Sequence, residues 1–215
     1  MIELVIFDCD GTLVDTEYLS NVVLARSLTE LGLPTTVEES LATYKGRFVE
    51  DILAEVRERL GRPVPDDFWP AYEAKRDDAF RASVRPILGA ATAVQCLTAA
   101  GLKVCVASQA KLEKSELTLG LTGLRELFGA EHVFSAHDVA RGKPEPDLFL
   151  YAAAQMGVAP AQSVVVEDTP LGVQAGVAAG MRVLALVEDD GAWARELGGE
   201  PIISLREIPA LLGIA

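Results

Sequence analysis

From residue 86 to residue 187, short apolar runs rich in β-branched residues alternate with segments of helical spacing, and this alternation restricts the fold more than any other feature. Strands that alternate with helices pair in parallel, because each helix carries the chain back to the starting edge of the sheet. The runs are largely apolar, which is typical of strands buried on both faces. The sequence therefore predicts an α/β fold with a parallel sheet between two layers of helices. The predicted strands are Leu102–Ala107, Val133–Phe134, Ser163–Val166 and Arg182–Val187, and the predicted helices are Gly89–Ala100, Lys111–Leu119, Leu124–Phe128, Asp147–Met156 and Gly172–Ala179.

One further apolar run, Leu4–Phe7, lies near the N-terminus and is separated from the others by a stretch with helical spacing only. Because this run belongs with the later strands, residues 1–15 and 86–215 are predicted to form one α/β core domain, and residues 16–85 a helical insertion. Ligands of open α/β sheets bind at the carboxyl ends of the strands, so we expect the insertion to lie over that edge as a lid. The predicted helices of the insertion are Glu17–Leu31, about 37–43, Val49–Leu60 and Asp66–Ala82, the last of them capped by Asp66.

The chain is strongly acidic, with a net charge of −13 and 19 Lys and Arg residues that are dispersed along it. Nucleic acids and anionic membrane surfaces are bound through clustered basic residues, so neither is expected as a partner. The three cysteines form no CxxC pair and leave an odd thiol, no secretion signal is evident, and no apolar run is long enough to span a bilayer. We therefore expect a cytoplasmic protein. The sequence leaves the oligomeric state open and is compatible with a monomer.

Two aspartates one residue apart, Asp8 and Asp10, follow the first predicted strand. Side chains of a strand alternate between its faces, so both carboxylates project to the same side. Like charges at this spacing raise each other's pKa unless a cation lies between them, and Mg²⁺ prefers such an oxygen-only set of ligands. The alternative is structural, because Asp10-Gly11 is a strong hairpin signal and residues 12–14 would then form the returning strand.

Polar residues also follow the later strands. Ser108 ends the second strand, Lys143 lies between the third strand and the next helix, and Glu167 with Asp168 comes directly after the fourth. Each has a structural alternative: Ser108 and Asp168 as helix N-caps, and Lys143 as a solvated loop residue. Their joint placement favours a functional site, because the carboxyl ends of parallel strands meet at one edge of the sheet.

Four segments of the chain resemble, in order, the four motifs of the haloacid dehalogenase-like hydrolase superfamily: Asp8–Asp15, Ser108, Gly142–Asp147 and Val166–Gly176. More narrowly, they resemble the branch that contains β-phosphoglucomutase and many sugar-phosphate phosphatases. The resemblance covers nearly the whole chain. It implies a Rossmann-like parallel sheet core with helices on both faces, and it implies that residues 16–85 are that branch's inserted helical cap domain.

The same resemblance implies a role for each motif residue. Asp8 is the expected nucleophile, which forms an aspartyl-phosphate, and Asp10 is the acid expected to protonate the leaving alcohol and then to activate water. Ser108 and Lys143 complete the expected catalytic set by binding phosphoryl oxygens and offsetting negative charge. The expected ligands of Mg²⁺ are Asp8, Asp10, Asp168 and, directly or through water, Glu167; the expected phosphate- and substrate-binding residues are Cys9, Gly11, Thr12, Lys45, Gly46, Arg47 and Gln109.

A few positions distinguish among the reactions that the resemblance implies. Dehalogenases of this kind lack the second aspartate and phosphonate hydrolases usually carry alanine there, so Asp10 speaks against both. Three residues of the mutase pattern correspond here to Ser20, Val49 and Ala110, which removes groups that would hold a second phosphate. We therefore predict a Mg²⁺-dependent phosphatase acting on a small phosphorylated metabolite, a sugar phosphate or sugar-acid phosphate. A β-phosphoglucomutase-like mutase and, from another class, a non-enzymatic phospho-receiver module are the alternatives.

Overall fold

The computed structural model describes residues 1–214, and the chain divides into two compact units. One unit consists of Met1–Val14 and the chain from Arg85 onward, and the other consists of Asp15–Val84. The first is an α/β domain and the second is built from helices. Each boundary between the units lies one residue closer to the N-terminus than the sequence predicted. The roles of the two units, catalysis by the α/β unit and substrate selection by the helical unit, stay predictions.

The α/β unit is built on a six-stranded sheet in which every neighbouring pair of strands is parallel. The strands of the chain are β1 (Leu4–Phe7), β2 (Val14–Asp15), β3 (Arg85–Pro86), β4 (Lys103–Ser108), β5 (Val133–Ser135), β6 (Ser163–Glu167), β7 (Arg182–Leu186) and β8 (Glu200–Ile202). The order in the large sheet is β5-β4-β1-β6-β7-β8, and β2 pairs with β3 in a separate two-stranded sheet. The strand order changes direction at β1, which is where open α/β sheets bind ligands.

Helices cover both faces of this sheet, as predicted. They are α5 (Ala90–Ala99), α6 (Leu112–Leu121), α7 (Asp147–Gln155), α8 (Pro170–Ala178), α9 (Ala192–Glu196) and α10 (Ile208–Leu211), with short 3₁₀ turns at Arg125–Leu127, Ala136–Asp138, Pro160–Gln162 and Leu205–Glu207. On one face, Leu4 and Ile6 of β1 belong to the same buried cluster as Phe149 of α7. Side chains alternate along β1, so Phe7 points the opposite way and meets the ring of Phe128 with 6.5 Å between centroids.

The helical unit contains α1 (Glu17–Leu31), α2 (Val37–Tyr44), α3 (Val49–Leu60) and α4 (Phe68–Ser83), which bury one apolar cluster of their own. Thr36 and Glu39 form a reciprocal capping box at the start of α2. Gly32 ends α1 with a φ of 101°, a conformation that favours glycine. The prediction that Asp66 caps the last helix is wrong, because α4 begins at Phe68 and the residue before it, Asp67, makes no capping hydrogen bond through its side chain.

Other differences from the predicted elements have simple physical reasons. The hairpin alternative at Asp10-Gly11 is wrong, because β1 pairs with β4 and β6 on its two sides and not with β2. The segment 124–128 forms only a short 3₁₀ turn, and β8, α9 and α10 were not predicted. These elements are three to five residues long, too short to show a period in the sequence. Within residues 1–214, no helix combines the length and the apolar character needed to cross a bilayer.

Candidate active site

The predicted catalytic residues follow strands that lie side by side. β1 is hydrogen-bonded to β4 on one side and to β6 on the other, with Phe7 level with Val106 and Val166. Asp8 continues β1, and its backbone N–H donates to the Val166 carbonyl at 2.9 Å. Ser108 is the last residue of β4, and Glu167 is the last residue of β6. The sheet register therefore brings these carboxyl ends to one edge, as parallel pairing requires.

Lys143 is buried at this edge with both carboxylates against its ammonium group. Its Nζ donates to Oδ1 of Asp8 at 2.5 Å, to Oε1 of Glu167 at 2.7 Å and to the carbonyl of Ala107 at 3.3 Å. Only 3% of Lys143 and 5% of Asp8 is exposed. All three protons of the ammonium group thus have acceptors, and the alternative of a solvated loop lysine is wrong.

Burial and neighbouring charges together shift the pKa values of Asp8 and Lys143. The pKa of Asp8 is raised to about 7, chiefly by burial; the Lys143 ammonium lowers this pKa, and the negative charges of Glu167 and Asp10 raise it. Burial by itself lowers the pKa of Lys143, but Asp8 and Glu167 outweigh it and leave the net pKa above its ordinary value. Lys143 therefore keeps its charge near neutral pH, and additional positive charge would favour the ionised form of Asp8.

Glu167 is held on both of its oxygens by the protein. Oε1 meets Lys143, and Oε2 accepts hydrogen bonds from the backbone N–H of Thr169 at 2.7 Å and from its hydroxyl at 2.9 Å. Oγ1 of Thr169 accepts in turn from the N–H of Gly172 and so caps α8. The alternative of Asp168 as the cap of this helix is therefore wrong. A methyl group on Gly172 would lie 1.8 Å from Oε1 of Glu167, so glycine is what lets the helix start beside this carboxylate.

Asp168 lies against the loop that follows β1. Oδ1 of Asp168 accepts a hydrogen bond from the hydroxyl of Thr12 at 3.1 Å. Gly11 has a φ of 86°, and a Cβ atom on it would lie 2.2 Å from Oδ2 of Asp168. The backbone can approach the carboxylate so closely only because Gly11 has no side chain. Three residues of the first and fourth motifs, Gly11, Thr12 and Asp168, are thus brought together.

Asp10 has a partner that the sequence reasoning missed. Nζ of Lys114 on α6 lies 2.9 Å from Oδ2 of Asp10, and both side chains are largely buried. A lysine within an amphipathic helix carries no signal of its own, since charged residues on helices are usually solvated. The only hint is that α6 follows Ser108, so that its first turns start near the same edge of the sheet.

The loop after β4 is also ordered by side-chain contacts. The structural alternative of Ser108 as a helix N-cap is wrong, because α6 starts at Leu112; instead, Oγ of Ser108 accepts from the N–H of Ala110 at 3.1 Å. A hydroxyl that accepts here can still donate its own proton to a phosphate oxygen. Oε1 of Gln109 accepts from the backbone N–H of Lys143 at 3.0 Å. Cys9 lies buried with Sγ 3.9 Å from the hydroxyl of Thr118.

The donor atoms at this edge suit a hard divalent cation. Across residues 1–214, no three Asp, Glu, His or Cys side chains form a ready-made cage for a metal ion. The acidic side chains of the edge nevertheless offer oxygen atoms only, and the negative charges of Glu167 and Asp10 raise the pKa of Asp8. Mg²⁺ commonly takes one or two carboxylates and completes its shell with waters and phosphate oxygens. The residues present therefore fit such an ion.

Three predicted substrate-binding residues, Lys45, Gly46 and Arg47, belong to the helical unit. They form the exposed connection between α2 and α3. Nη1 of Arg47 pairs with Oε2 of Glu55 at 2.5 Å. Their assignment to substrate binding stays a prediction.

The burial of the cysteines gives a simple test of the site's packing. Cys96 is exposed, whereas Cys9 and Cys105 are buried and burial raises the pKa of both thiols. Because the thiolate is the reactive form, we expect a thiol reagent at neutral pH to modify one cysteine quickly in the native protein and all three after denaturation. Thiol titration with and without denaturant measures this. Rapid reaction of a native Cys96→Ser variant would contradict the buried position of Cys9 or of Cys105.

Known proteins of one family are similar to this chain. Residues 5–186 match the model of haloacid dehalogenase-like hydrolases. 6-Phosphogluconate phosphatase of Escherichia coli (strain K12) is 31% identical over 189 residues, covering 87% of this chain and 84% of that protein. Hexitol phosphatase A of the same organism is 33% identical over 186 residues, covering 84% and 81%. A solved structure of a HAD family hydrolase from Deinococcus radiodurans R1, with bound phosphate and sodium, has a TM-score of 0.81 and 33% identity, covering 99% of this chain and 95% of that chain.

The chain belongs to the haloacid dehalogenase-like hydrolase family, as the four motifs indicated. Within that family it is a phosphoric monoester hydrolase. This membership overturns the alternative of a non-enzymatic phospho-receiver module.

Proposed function

We propose that this phosphatase is Mg²⁺-dependent and hydrolyses a small phosphorylated metabolite, a sugar phosphate or sugar-acid phosphate, through an aspartyl-phosphate on Asp8. The observation that carries the proposal is the buried carboxylate of Asp8 at the end of β1, with the ammonium group of Lys143 2.5 Å from one of its oxygens. An oriented carboxylate is a nucleophile toward phosphorus, and a fixed cation beside it stabilises the charge of the transferred group.

In the proposed first step, the second oxygen of Asp8 attacks phosphorus and the bond to the leaving alcohol breaks. Asp10 gives its proton to the departing oxygen, and Ser108 donates a hydrogen bond to the phosphoryl group. In the second step, water attacks the aspartyl-phosphate, Asp10 takes up its proton, and inorganic phosphate leaves with Asp8 restored. Lys143 keeps Asp8 oriented through both steps, and Lys114 is close enough to balance Asp10 whenever that carboxylate is ionised.

The proposed Mg²⁺ would be held by the carboxylates of Asp8 and Asp168 and by the backbone carbonyl of Asp10. When bound, it supplies Lewis-acid polarisation of the phosphoryl group and neutralises charge. Both oxygens of Glu167 are engaged by Lys143 and Thr169, so its main contribution is to fix Lys143.

Removing the divalent cation with EDTA is expected to abolish phosphate release, and adding Mg²⁺ to restore it. Asp168→Asn should raise the Mg²⁺ concentration for half-maximal activity about tenfold or more, because it weakens the ligand set. A second readout is independent of turnover: Mg²⁺ should raise the melting temperature of the wild-type protein and not that of Asp168→Asn. The matched control is Asp66→Asn in an exposed segment of the helical unit. Full activity in EDTA would rule out the metal dependence.

The substrate class is supported by the names of two relatives, 6-phosphogluconate phosphatase and hexitol phosphatase A. The test is a panel of phosphorylated sugars, sugar alcohols and sugar acids, with release of inorganic phosphate and isomerisation of the sugar phosphate measured in parallel. We expect phosphate release with no isomer formed, because Ala110 offers only a methyl group where the mutase pattern has a hydroxyl. Isomer formation without phosphate release would favour the mutase.

We also propose a cytoplasmic location. Free buried thiols at Cys9 and Cys105 suit that location, because disulfides are rare in the reducing cytoplasm.

A further inference from the structure

The side chain of Gln109 is directed at the loop that carries Lys143. Gln109 follows β4, and its Oε1 accepts a hydrogen bond from the backbone N–H of Lys143 at 3.0 Å across 34 positions of sequence. This bond ties the loop after β4 to the loop before α7. The carbonyl end of Gln109 is therefore engaged with the protein, although the motif comparison placed this residue among those that bind phosphate or substrate.

Gly142 lies close to the same amide group. A Cβ atom on Gly142 would lie 2.4 Å from Nε2 of Gln109, 2.8 Å from Oε1 and 3.0 Å from the amide carbon. Contacts this short do not occur, so any side chain at Gly142 would push the amide group away from the Lys143 backbone. The hydrogen bond and the glycine thus form one packing arrangement.

The position of the Lys143 backbone matters because its side chain is long and flexible. Nζ reaches Asp8 and Glu167 at 2.5 and 2.7 Å only if the four-carbon side chain starts from the right point. Because Gln109 holds the backbone of Lys143, the Lys143 side chain has fewer conformations available, and its ammonium group stays closer to Asp8 and Glu167. Small errors in the position of a catalytic group lower the rate strongly.

We infer that Gln109 is a positioning residue, which acts on catalysis by fixing the backbone of Lys143 and not by contact with the substrate. The inference rests on the proposed function of Lys143 in phosphoryl transfer. Gly142 is required by the same arrangement, because it leaves room for the Gln109 amide.

The inference is tested with Gln109→Met, which keeps the length of the side chain and removes the acceptor. We expect kcat for an aryl phosphate to fall about tenfold, as for the loss of one oriented hydrogen bond, with KM changed less than about twofold. Gln155→Met, an exposed glutamine at the end of α7, is the matched control and should leave both constants unchanged. A higher KM with unchanged kcat would instead make Gln109 a substrate contact, and no change in either constant would also overturn the inference.

A double-mutant comparison separates positioning from a general effect on folding. Gly142→Ala alone should lower kcat by a similar factor, because the added methyl group displaces the Gln109 amide. In a Gln109→Ala background the same substitution should have little further effect, because the amide is gone and the methyl group has space. Additive losses in the double variant would contradict a shared arrangement.

Hydrogen exchange gives a readout that does not depend on turnover. The amide of Lys143 should exchange faster in Gln109→Met than in the wild-type protein, with the amides of β1 unchanged. If the wild-type protein released no phosphate, the proposed function would fail while this measurement would still decide whether Gln109 holds the loop. Unchanged exchange at Lys143 would overturn the inference even in an active enzyme.

Discussion

Asp8→Asn is expected to reduce phosphate release roughly 10³-fold or more, because the amide that replaces the carboxylate is a poor nucleophile. The substitution preserves size and leaves an oxygen for the ammonium group of Lys143. It also removes a buried acid whose pKa burial raises to about 7, so ionising Asp8 works against folding at higher pH. We therefore expect no loss of stability in Asp8→Asn at about pH 8.

The measurement is steady-state phosphate release together with urea unfolding of the same preparations. Asp66→Asn, an exposed aspartate outside the α/β unit, should match the wild-type protein in both. An Asp8→Asn variant that folds normally and retains turnover would exclude Asp8 as the nucleophile. Trapping the intermediate supplies a direct test. After incubation with substrate labelled in its phosphoryl group and an acid quench, only the wild-type protein should carry an acid-stable, base-labile phosphoryl adduct.

Lys143→Met is expected to lower the free energy of unfolding by about 3–5 kcal/mol near pH 8, because breaking a buried ion pair leaves uncompensated charge. Here two buried carboxylates, those of Asp8 and Glu167, would lose their shared cation. Methionine fills similar space, so the effect comes from charge and hydrogen bonds more than from a cavity. Urea unfolding measures the loss.

The pH dependence of this loss has a definite sign. Lys143 lowers the pKa of Asp8, so without it the folded-state pKa of Asp8 lies further above the unfolded value. The folded variant then binds protons more tightly than the unfolded chain, and its stability falls as the pH rises through the folded-state pKa. The difference between variant and wild type should therefore shrink when the pH is lowered from about 8 to about 5.

The exposed Lys103 supplies the matched control for this experiment. Its Nζ donates one hydrogen bond to the carbonyl of Met156, so Lys103→Met should cost less than about 1.5 kcal/mol and show little pH dependence. If Lys143→Met lost no more stability than Lys103→Met, or lost the same amount at every pH, the ammonium group would not be the cation that compensates these two acids.

The parallel sheet could be predicted because each long strand is recognisable from the residues within it. β1 is a run of buried apolar residues, and the centres of β4, β6 and β7 are buried and apolar; such runs alternate with helical segments in the sequence. The same local logic indicated which residues follow the strands, since Asp8, Ser108 and Glu167 stand directly at strand ends. The short elements near the C-terminus escaped prediction, because β8 is an edge strand that owes its conformation to pairing with β7.

Partners that depend on distant segments could not be predicted in the same way. Lys114 meets Asp10, and Gln109 meets the backbone of Lys143, through contacts that only the packing of α6 and the loop before α7 creates. No spacing along the chain distinguishes Lys114 from a solvated helical lysine. The exposed or buried state of Lys143 was open for the same reason, since a loop lysine between prolines suits either.

The sequence by itself determined the α/β class, the family and the identity of the acidic and basic residues at the sheet edge, because strand pattern and motif order are written along the chain. Tertiary structure alone decided which charges meet. It placed Lys143 between Asp8 and Glu167, engaged both oxygens of Glu167, and set Asp168 against Gly11 and Thr12. The physical reason is that strand order and loop packing bring together side chains more than a hundred residues apart, and burial then fixes their charge states.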